Sequence, residues 1–198
     1  MSTAARAAHI LVDDPPHLIT DDVAFRLCRS LPASPLDYQL ANPAEPVLAA
    51  ARLSACMRAR FTADTLHDSD LLQCVLLGAG LDHPATDDAG AAWWAVDLPD
   101  VLAWRADMFA QAGLADRCCH VPADLTADGL VKALVGAGLD VARPVLVAWL
   151  GGSMYLPEQA VRRVLSQLGV LASGSVLVAD FVVPAPDRDQ AGRDYANA

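Results

Sequence analysis

Basic residues are scarce in this sequence of 198 residues, where 14 Lys+Arg stand against 24 Asp+Glu and the formal net charge is −10. An acidic surface repels a phosphate backbone, so general nucleic-acid binding is not expected. Clusters of Lys and Arg that could dock on anionic lipid are also missing. We therefore expect neither a nucleic acid nor a membrane as a partner.

Long apolar runs and paired cysteines are lacking too. No stretch reaches the roughly 18 apolar residues of a membrane span, and residues 1–22 lack the apolar core of a signal peptide. The five cysteines are odd in number and show no CxxC spacing, which excludes a disulfide framework. Cys118, Cys119 and His120 would alternate between the faces of a strand, so no metal site is expected. These absences predict a reduced, cytoplasmic protein.

The residues that are present predict an α/β fold. A composition of 54% hydrophobic and 19% charged residues supports a true core. Pro-rich turns between Ala-rich segments predict helices over residues 1–69, the last from about Glu45 to about Leu66. Residues 70–184 alternate short apolar runs with amphipathic stretches, which is typical of βαβ units, and residues 185–198 form a polar tail.

Five strands are predicted, at about 72–77, 92–97, 118–121, 145–150 and 175–183. Helices are predicted between them, at 99–112, 126–139 and 157–171. The strands are apolar on both faces, as in a parallel sheet that helices cover on each side. The segment 145–150 is expected to be a central strand whose following glycines, Gly151 and Gly152, lie at the same sheet edge as the turn described next.

A glycine-rich turn, Gly78-Ala79-Gly80-Leu81-Asp82, directly follows the first predicted strand. Glycine lets backbone approach a ligand closely, and ligands of open α/β sheets bind at the carboxyl ends of the strands. The alternative is that a lone GxG is only a tight turn.

Two aspartates follow the next strands. Asp97 ends the second strand and could accept hydrogen bonds from both hydroxyls of a ribose. Asp124, with Leu125, follows the third strand and could offer a carboxylate and an apolar wall to an adenine. Alternatively, each aspartate caps the helix after it, near Pro99 and Thr126 respectively. The coincidence of three features at one edge favours an adenosine-containing cofactor.

The dinucleotide fingerprint GxGxxG is incomplete, because His83 occupies the position of the third glycine. A pyrophosphate would also lack a helix N-terminus, since residues 81–90 leave little room for a helix. S-adenosylmethionine has no phosphate and needs neither feature. An NAD-dependent enzyme is therefore a distant alternative.

Seven segments, in order along the chain, resemble the leucine carboxyl methyltransferase-related family of bacterial class I S-adenosylmethionine-dependent O-methyltransferases. They are ARAAHILVDDPP, MRARF, VLLGAGLD, AVDLPDVLAWR, HVPADL, AWLGGSMYLPEQAV and SGSVLVADFVVP. The resemblance implies a Rossmann-like sheet with a helical N-terminal lid. It also implies that Arg58 takes the cofactor's carboxylate, that Gly78 and Gly80 line its methionine part, and that Asp97 and Asp124-Leu125 hold its ribose and adenine.

The cofactor-binding residues expected from this reasoning are Arg58, Gly78, Ala79, Gly80, Asp82, Asp97, Leu98, Asp124, Leu125 and Leu150. In the family, two further strands normally follow the fifth, whereas about 15 residues follow Val183 here. The C-terminal strands are therefore expected to be missing or shortened. The chain is then a natural minimal form, a fragment, or a protein that completes its sheet with a partner, for example as a homo-oligomer through the open edge.

The function expected from these features is methyl transfer from S-adenosylmethionine to an oxygen of a small molecule or a carboxylate. A carboxylate acceptor needs no base, whereas a hydroxyl acceptor does, and His83 or Tyr155 is the candidate for that role. The alternative is a non-catalytic protein of the same fold that serves as an accessory or binding subunit.

Overall fold

A computed structural model describes residues 2–84, 90–190 and 192–193 of the chain. The helices are α1 (Ser2–Val12), α2 (Asp22–Arg29), α3 (Pro35–Ala41), α4 (Pro46–His67), α5 (Pro99–Gln111), α6 (Leu130–Gly136) and α7 (Glu158–Leu168). The strands are β1 (Gln73–Leu77), β2 (Ala92–Asp97), β3 (Cys118–Pro122), β4 (Leu146–Trp149) and β5 (Val176–Ala179). Short 3₁₀ helices cover Ser153–Tyr155 and Ala185–Asp187. Within the described ranges, no helix is both long enough and apolar enough to cross a membrane.

The five strands form one parallel sheet in the order β3-β2-β1-β4-β5. This confirms the predicted α/β fold with a parallel sheet. It also confirms that β4 is an interior strand, because β4 pairs with β1 on one side and with β5 on the other. Parallel pairing brings the carboxyl ends of all these strands to one edge of the sheet, which is where a ligand site is expected.

Both faces of the three interior strands, β2, β1 and β4, are largely buried, which explains why these strands are apolar throughout rather than alternating. Val75 and Leu77 of β1 contribute to a core on the face covered by α6 and α7. Cys74 and Leu76 of the same strand contribute to the core on the opposite face, together with Leu102 of α5. Cys74 is fully buried and is therefore a small core residue.

The chain divides into two compact units, one from Phe61 to Asp180 and one that takes in the residues up to Arg60 and those after Asp180. In the second of these, α1, α2 and α3 pack around small side chains, among them Ala4, Ala8 and Ala24. Asp21 caps α2 by accepting a hydrogen bond from the Ala24 amide at 2.8 Å. Alanine on the facing sides lets these helices approach closely, as the Ala-rich segments of the sequence imply.

The fifth strand is shorter than predicted, because β5 ends at Ala179 and residues 181–183 are exposed coil. Asp180 explains where it stops. Its Oδ1 accepts a hydrogen bond from the Gly151 amide at 2.6 Å, and its carbonyl accepts one from Ser153 Oγ at 2.5 Å. The chain is therefore tied to the loop after β4 instead of continuing along that strand.

The sixth helix is also shorter than the predicted span 126–139. Gly129 precedes α6 in the left-handed region, with φ of 101°, so the helix begins only at Leu130. The amides of Gly129 and Leu130 donate to Gln167 Oε1 of α7, at 2.9 and 2.8 Å. A side chain that is distant in sequence thus caps this helix, and periodicity alone does not reveal it.

Candidate functional site

The glycine turn leaves the end of β1 at the carboxyl edge of the sheet. Gly78 and Gly80 have positive φ angles of 63° and 46°, which favour glycine. Among the residues that the structure describes, and apart from the chain neighbours of each glycine, no heavy atom lies within 4 Å of the position that a Cβ would take at either residue. Buried Ala79 between them donates its amide to the carbonyl of Val96 in β2, at 3.1 Å. The turn therefore presents bare backbone and open space, which is the surface a closely bound ligand needs.

Asp97 ends β2 beside this turn and is half-buried. Its Oδ2 accepts a hydrogen bond from the Gly80 amide at 2.9 Å, and its Oδ1 accepts one from the Leu98 amide at 2.8 Å. Helix α5 begins at Pro99 and has no side-chain cap hydrogen bond, so the alternative that Asp97 caps this helix is wrong. The carboxylate instead fixes the glycine turn.

Asp124 follows β3 at the same edge and is exposed. Its Oδ1 accepts hydrogen bonds from the amide and the hydroxyl of Thr126, at 2.8 and 2.7 Å. These bonds lower the pKa of the Asp124 carboxyl. Because α6 begins at Leu130, the alternative that Asp124 caps a helix starting near Thr126 is wrong. The neighbouring Leu125 is half-buried and packs on the core beneath β1 and β4.

The loop after β4 meets the same edge, because β4 and β1 are parallel neighbours. This confirms that Gly151 and Gly152 lie at the edge that carries the glycine turn. Leu150, which directly follows β4, is half-buried. Trp149 lies fully buried beneath Gly152, and a Cβ at that glycine would come within 3.2 Å of Trp149 Nε1. The close approach of the indole ring explains why glycine occupies this position.

Arg105 of α5 is the residue that sequence reasoning missed. Its side chain is fully buried, and its Nη1 donates to the carbonyls of Gly80 and Asp82, at 3.0 and 2.6 Å. Its Nε and Nη2 donate to the two carboxylate oxygens of Asp116, at 2.6 and 3.0 Å. The available signal was a cation within the apolar stripe of a helix, since Leu102, Arg105 and Phe109 share one face of α5.

Asp116 is held as a carboxylate by its neighbours. Burial raises its pKa, but hydrogen bonds from Arg105 and His120 outweigh burial and lower the pKa to about 2. His120 Nε2 lies 2.7 Å from Asp116 Oδ2. The ion pair beneath the glycine turn therefore stays charged throughout the physiological pH range.

The two candidate bases lie in different surroundings. His83 follows the glycine turn, is half-buried, and has its Nδ1 2.8 Å from the carbonyl oxygen of Pro84. Because a carbonyl only accepts, Nδ1 carries the hydrogen and Nε2 is the basic nitrogen of the neutral ring. Tyr155 lies in the 3₁₀ helix after β4 and is 83% exposed.

Arg58 belongs to α4 and to the other compact unit, where it is half-buried and its Nη2 donates to Ser2 Oγ at 3.3 Å. Asp82 ends the glycine turn and Leu98 follows Asp97, and both residues are at least partly exposed. The roles that the sequence assigns to these three residues, like those of the two candidate bases, stay predictions.

Comparison with known sequences identifies a matching protein family. The sequence profile described as leucine carboxyl methyltransferase matches residues 1–169. The chain belongs to the leucine carboxyl methyltransferase family. This membership confirms the resemblance found in the seven sequence segments.

Curated relatives of this family member are named provisionally as S-adenosyl-L-methionine-dependent methyltransferases. One from Mycobacterium sp. (strain KMS) is 35% identical over 130 residues, which are 62% of this chain and 41% of the relative. One from Mycolicibacterium smegmatis is 32% identical over 204 residues, which are 93% of this chain and 63% of the relative. The chain thus spans less than two thirds of the length of either relative.

Solved structures show the same fold at low sequence identity. A provisionally named methyltransferase from Thermobifida fusca YX superposes with a TM-score of 0.61 at 18% identity, over 98% of this chain and 70% of that one. A DUF574 family protein from Streptomyces avermitilis gives a TM-score of 0.60 at 20% identity, over 98% and 73% of the two chains. The parallel sheet with helices at its N-terminus is therefore the Rossmann-like fold of methyltransferases.

Proposed function

We propose that this member of the leucine carboxyl methyltransferase family binds S-adenosylmethionine and transfers its methyl group to an oxygen of a small molecule. The observation that carries the proposal is the open glycine turn at the carboxyl edge, hydrogen-bonded to the half-buried carboxylate of Asp97. Family membership and the names of the relatives support the choice of cofactor.

The hydrogen-bonding groups and bare backbone at this edge fit the cofactor. Each oxygen of Asp97 accepts one backbone amide and, having a further lone pair, can also accept a ribose hydroxyl. Oδ1 of Asp124 takes both hydrogen bonds with Thr126, so Oδ2 is the oxygen proposed for the adenine amino group. The bare backbone of Gly78, Ala79 and Gly80 would lie along the methionine part. Asp82, Leu98, Leu125 and Leu150 complete the proposed set.

Arg58 is proposed as the residue that pairs with the cofactor's carboxylate. A guanidinium presents a planar fork of donors that matches a carboxylate in a bidentate pair. Arg58 is half-buried, unlike Arg60, which is exposed on the same helix. Among its contacts is Ser2 Oγ at 3.3 Å, a neutral acceptor that forms a weaker hydrogen bond with a guanidinium than a carboxylate does.

When bound, the cofactor supplies an electrophilic methyl group on a sulfonium. The task of this chain is then to position an acceptor oxygen about 3 Å from that group and in line with it, which can supply much of the rate. A carboxylate acceptor is already a nucleophile. For a hydroxyl acceptor, His83 Nε2 would take the proton, and exposed Tyr155 is the second candidate for this role.

The first prediction tests the cofactor and the reaction together. Calorimetric titration is expected to show one site for S-adenosylmethionine and for S-adenosylhomocysteine, and no heat with NAD. Transfer of a labelled methyl group to a panel of small carboxylates and phenols then tests catalysis. The absence of binding by either sulfur compound would overturn the proposal. Binding without transfer to any acceptor would favour the accessory subunit over the enzyme.

The partner we propose is a second copy of the chain. β5 is an edge strand of the described sheet, and its Leu177 is 39% exposed. An unpaired strand presents backbone donors and acceptors that another strand can satisfy. Exposed apolar side chains near such an edge mark a surface suited to an interface.

The second prediction is therefore concentration-dependent self-association through β5. Light scattering is expected to show dimers at high concentration and to show monomers for Leu177→Lys, since a charge at the edge opposes pairing. Leu53→Lys is the control, because it places the same charge at an exposed leucine of α4. A wild-type protein that stays monomeric across the concentration range would contradict the proposal.

A further inference from the structure

The guanidinium of Arg105 uses all of its donors beneath the glycine turn. Nε–H and one N–H of Nη2 donate to the carboxylate of Asp116. The two N–H groups of Nη1 donate to the carbonyls of Gly80 and Asp82. The second Nη2 hydrogen points to Cys118 Sγ at 3.7 Å. The cation also lies 4.7 Å from the ring centroid of Phe109. An arginine has five N–H donors in a fixed fork, so each one is assigned here.

Gly80 is consequently held at both of its peptide groups. Its amide donates to Asp97 Oδ2 at 2.9 Å, and its carbonyl accepts from Arg105 Nη1 at 3.0 Å. Two backbone bonds also hold the turn, from the Ala79 amide to the Val96 carbonyl at 3.1 Å and from the Asp82 amide to the Ala79 carbonyl at 2.7 Å. With φ of 46° and no side chain, Gly80 depends on such hydrogen bonds for its orientation, and the bonds to the carbonyls of Gly80 and Asp82 come from Arg105. Arg105 is fully buried, so its hydrogen bonds are made away from competing water.

We propose that Arg105 is a positioning residue for the cofactor: by holding the carbonyls of Gly80 and Asp82, it sets the backbone of the turn and keeps the Gly80 amide on Asp97. Arg105 itself touches no ligand and acts through the turn. The part of the inference that concerns affinity rests on the proposed function, whereas the part that concerns the turn does not.

Lysine cannot replace this arginine. An ammonium has three donors on a flexible stem and is a point charge, so it can pair with Asp116 but cannot also hold both carbonyls in the plane of a fork. Arg105→Lys therefore keeps the charge and releases the turn. Phe109→Leu is the matched control. It removes a buried contact of the same guanidinium, on the same helix, without removing a hydrogen bond to the turn.

The test has a ligand-free readout and a ligand-bound one. Hydrogen exchange of the ligand-free protein is expected to quicken in the peptide that covers residues 78–82 for Arg105→Lys, and to remain as in the wild type for Phe109→Leu. S-adenosylhomocysteine is expected to bind about tenfold or more weakly to Arg105→Lys, as the loss of charged hydrogen bonds implies. Its affinity for Phe109→Leu is expected to stay within about threefold of the wild type, although both variants unfold at lower urea concentration.

Wild-type exchange and wild-type affinity in folded Arg105→Lys would overturn the inference. So would an affinity loss in Phe109→Leu that scales with its lost stability, because Arg105 would then be only a structural residue. Should Arg105→Lys fail to fold, Asp116→Asn loosens the anchor of Arg105 and is expected to quicken exchange in the same peptide, and unchanged exchange there counts against the proposal. A wild-type protein that binds no S-adenosylhomocysteine overturns the proposed function alone, since the exchange comparison uses no ligand.

Discussion

Asp97→Ala is expected to lower the affinity for S-adenosylhomocysteine by about 100-fold or more. A hydrogen bond to a charged group contributes about 1.5–3 kcal/mol, and the proposed ribose contact comprises two of them. The same substitution removes the acceptor of the Gly80 amide, which now lies 2.9 Å from Asp97 Oδ2. The turn that would carry the methionine part therefore loses one of its hydrogen bonds as well. Calorimetry measures the affinity directly.

Asp100→Ala is the control for this variant. Asp100 is exposed in the first turn of α5, three residues from Asp97, and its replacement makes the same change in net charge. Its affinity for S-adenosylhomocysteine is expected to equal that of the wild type. Asp97→Asn keeps one oxygen as an acceptor and should fall between the two. Wild-type affinity in Asp97→Ala would remove Asp97 from the site, whatever the other residues do.

The sheet could be predicted from sequence because burial on both faces leaves a clear pattern. The sequence predicts β2 at 92–97, where the strand runs over Ala92–Asp97, and predicts both ends of α4 to within one residue. The largest errors, at β5 and α6, lie where a long-range contact sets a boundary, and α7 also ends at Leu168 rather than at the predicted Leu171. Asp180 ends β5 through the loop after β4, and Gln167 caps α6 from another helix. The periodicity of the local sequence does not reveal either contact.

The candidate site, like the fold, has one part that the sequence predicts and one part that it does not. The glycine turn and Asp97 follow strands directly, so their positions at one edge follow from parallel pairing alone. The network under the turn does not, because Arg105 reaches Gly80 across 25 residues of sequence and Asp116 across 11. A buried arginine inside an apolar helix stripe was the visible sign, since a buried charge must find partners. Its partners, however, depend on how α5 packs on the sheet.

Replacing a second buried arginine is expected to lower the free energy of unfolding more than any other proposed substitution. Arg52 of α4 is 2% exposed, and its guanidinium lies 2.9 Å from Asp13 Oδ1. It also donates to Gln39 Oε1 at 3.0 Å and to the carbonyl of Pro43 at 2.6 Å. Arg52→Met leaves buried Gln39 Oε1 without this donor and leaves Asp13, whose side chain is 28% exposed, with His9 Nδ1 at 2.8 Å as a partner. The expected loss of unfolding free energy therefore lies between the about 0–1 kcal/mol of an exposed ion pair and the about 3–5 kcal/mol of a fully buried one.

Urea unfolding followed by circular dichroism is expected to show this loss for Arg52→Met, and little or none for Arg29→Met. Arg29 pairs with Asp37 at 3.0 Å in the same unit, but both side chains are largely exposed, and such pairs contribute about 0–1 kcal/mol. Equal losses in the two variants would contradict the argument from burial.

The difference in unfolding free energy between the wild type and Arg52→Met should also depend on pH. Burial raises the pKa of Asp13, but hydrogen bonds from Arg52 and His9 outweigh burial and lower it below the ordinary value of 3.8. A carboxyl whose pKa is depressed by folding adds stability above its unfolded pKa and loses it as the pH falls through the folded value. The gap between the two unfolding free energies should therefore be constant from about pH 5 to 7 and shrink below about pH 4. A gap that stays the same at pH 3 would show that Asp13 is not the partner that makes Arg52 necessary.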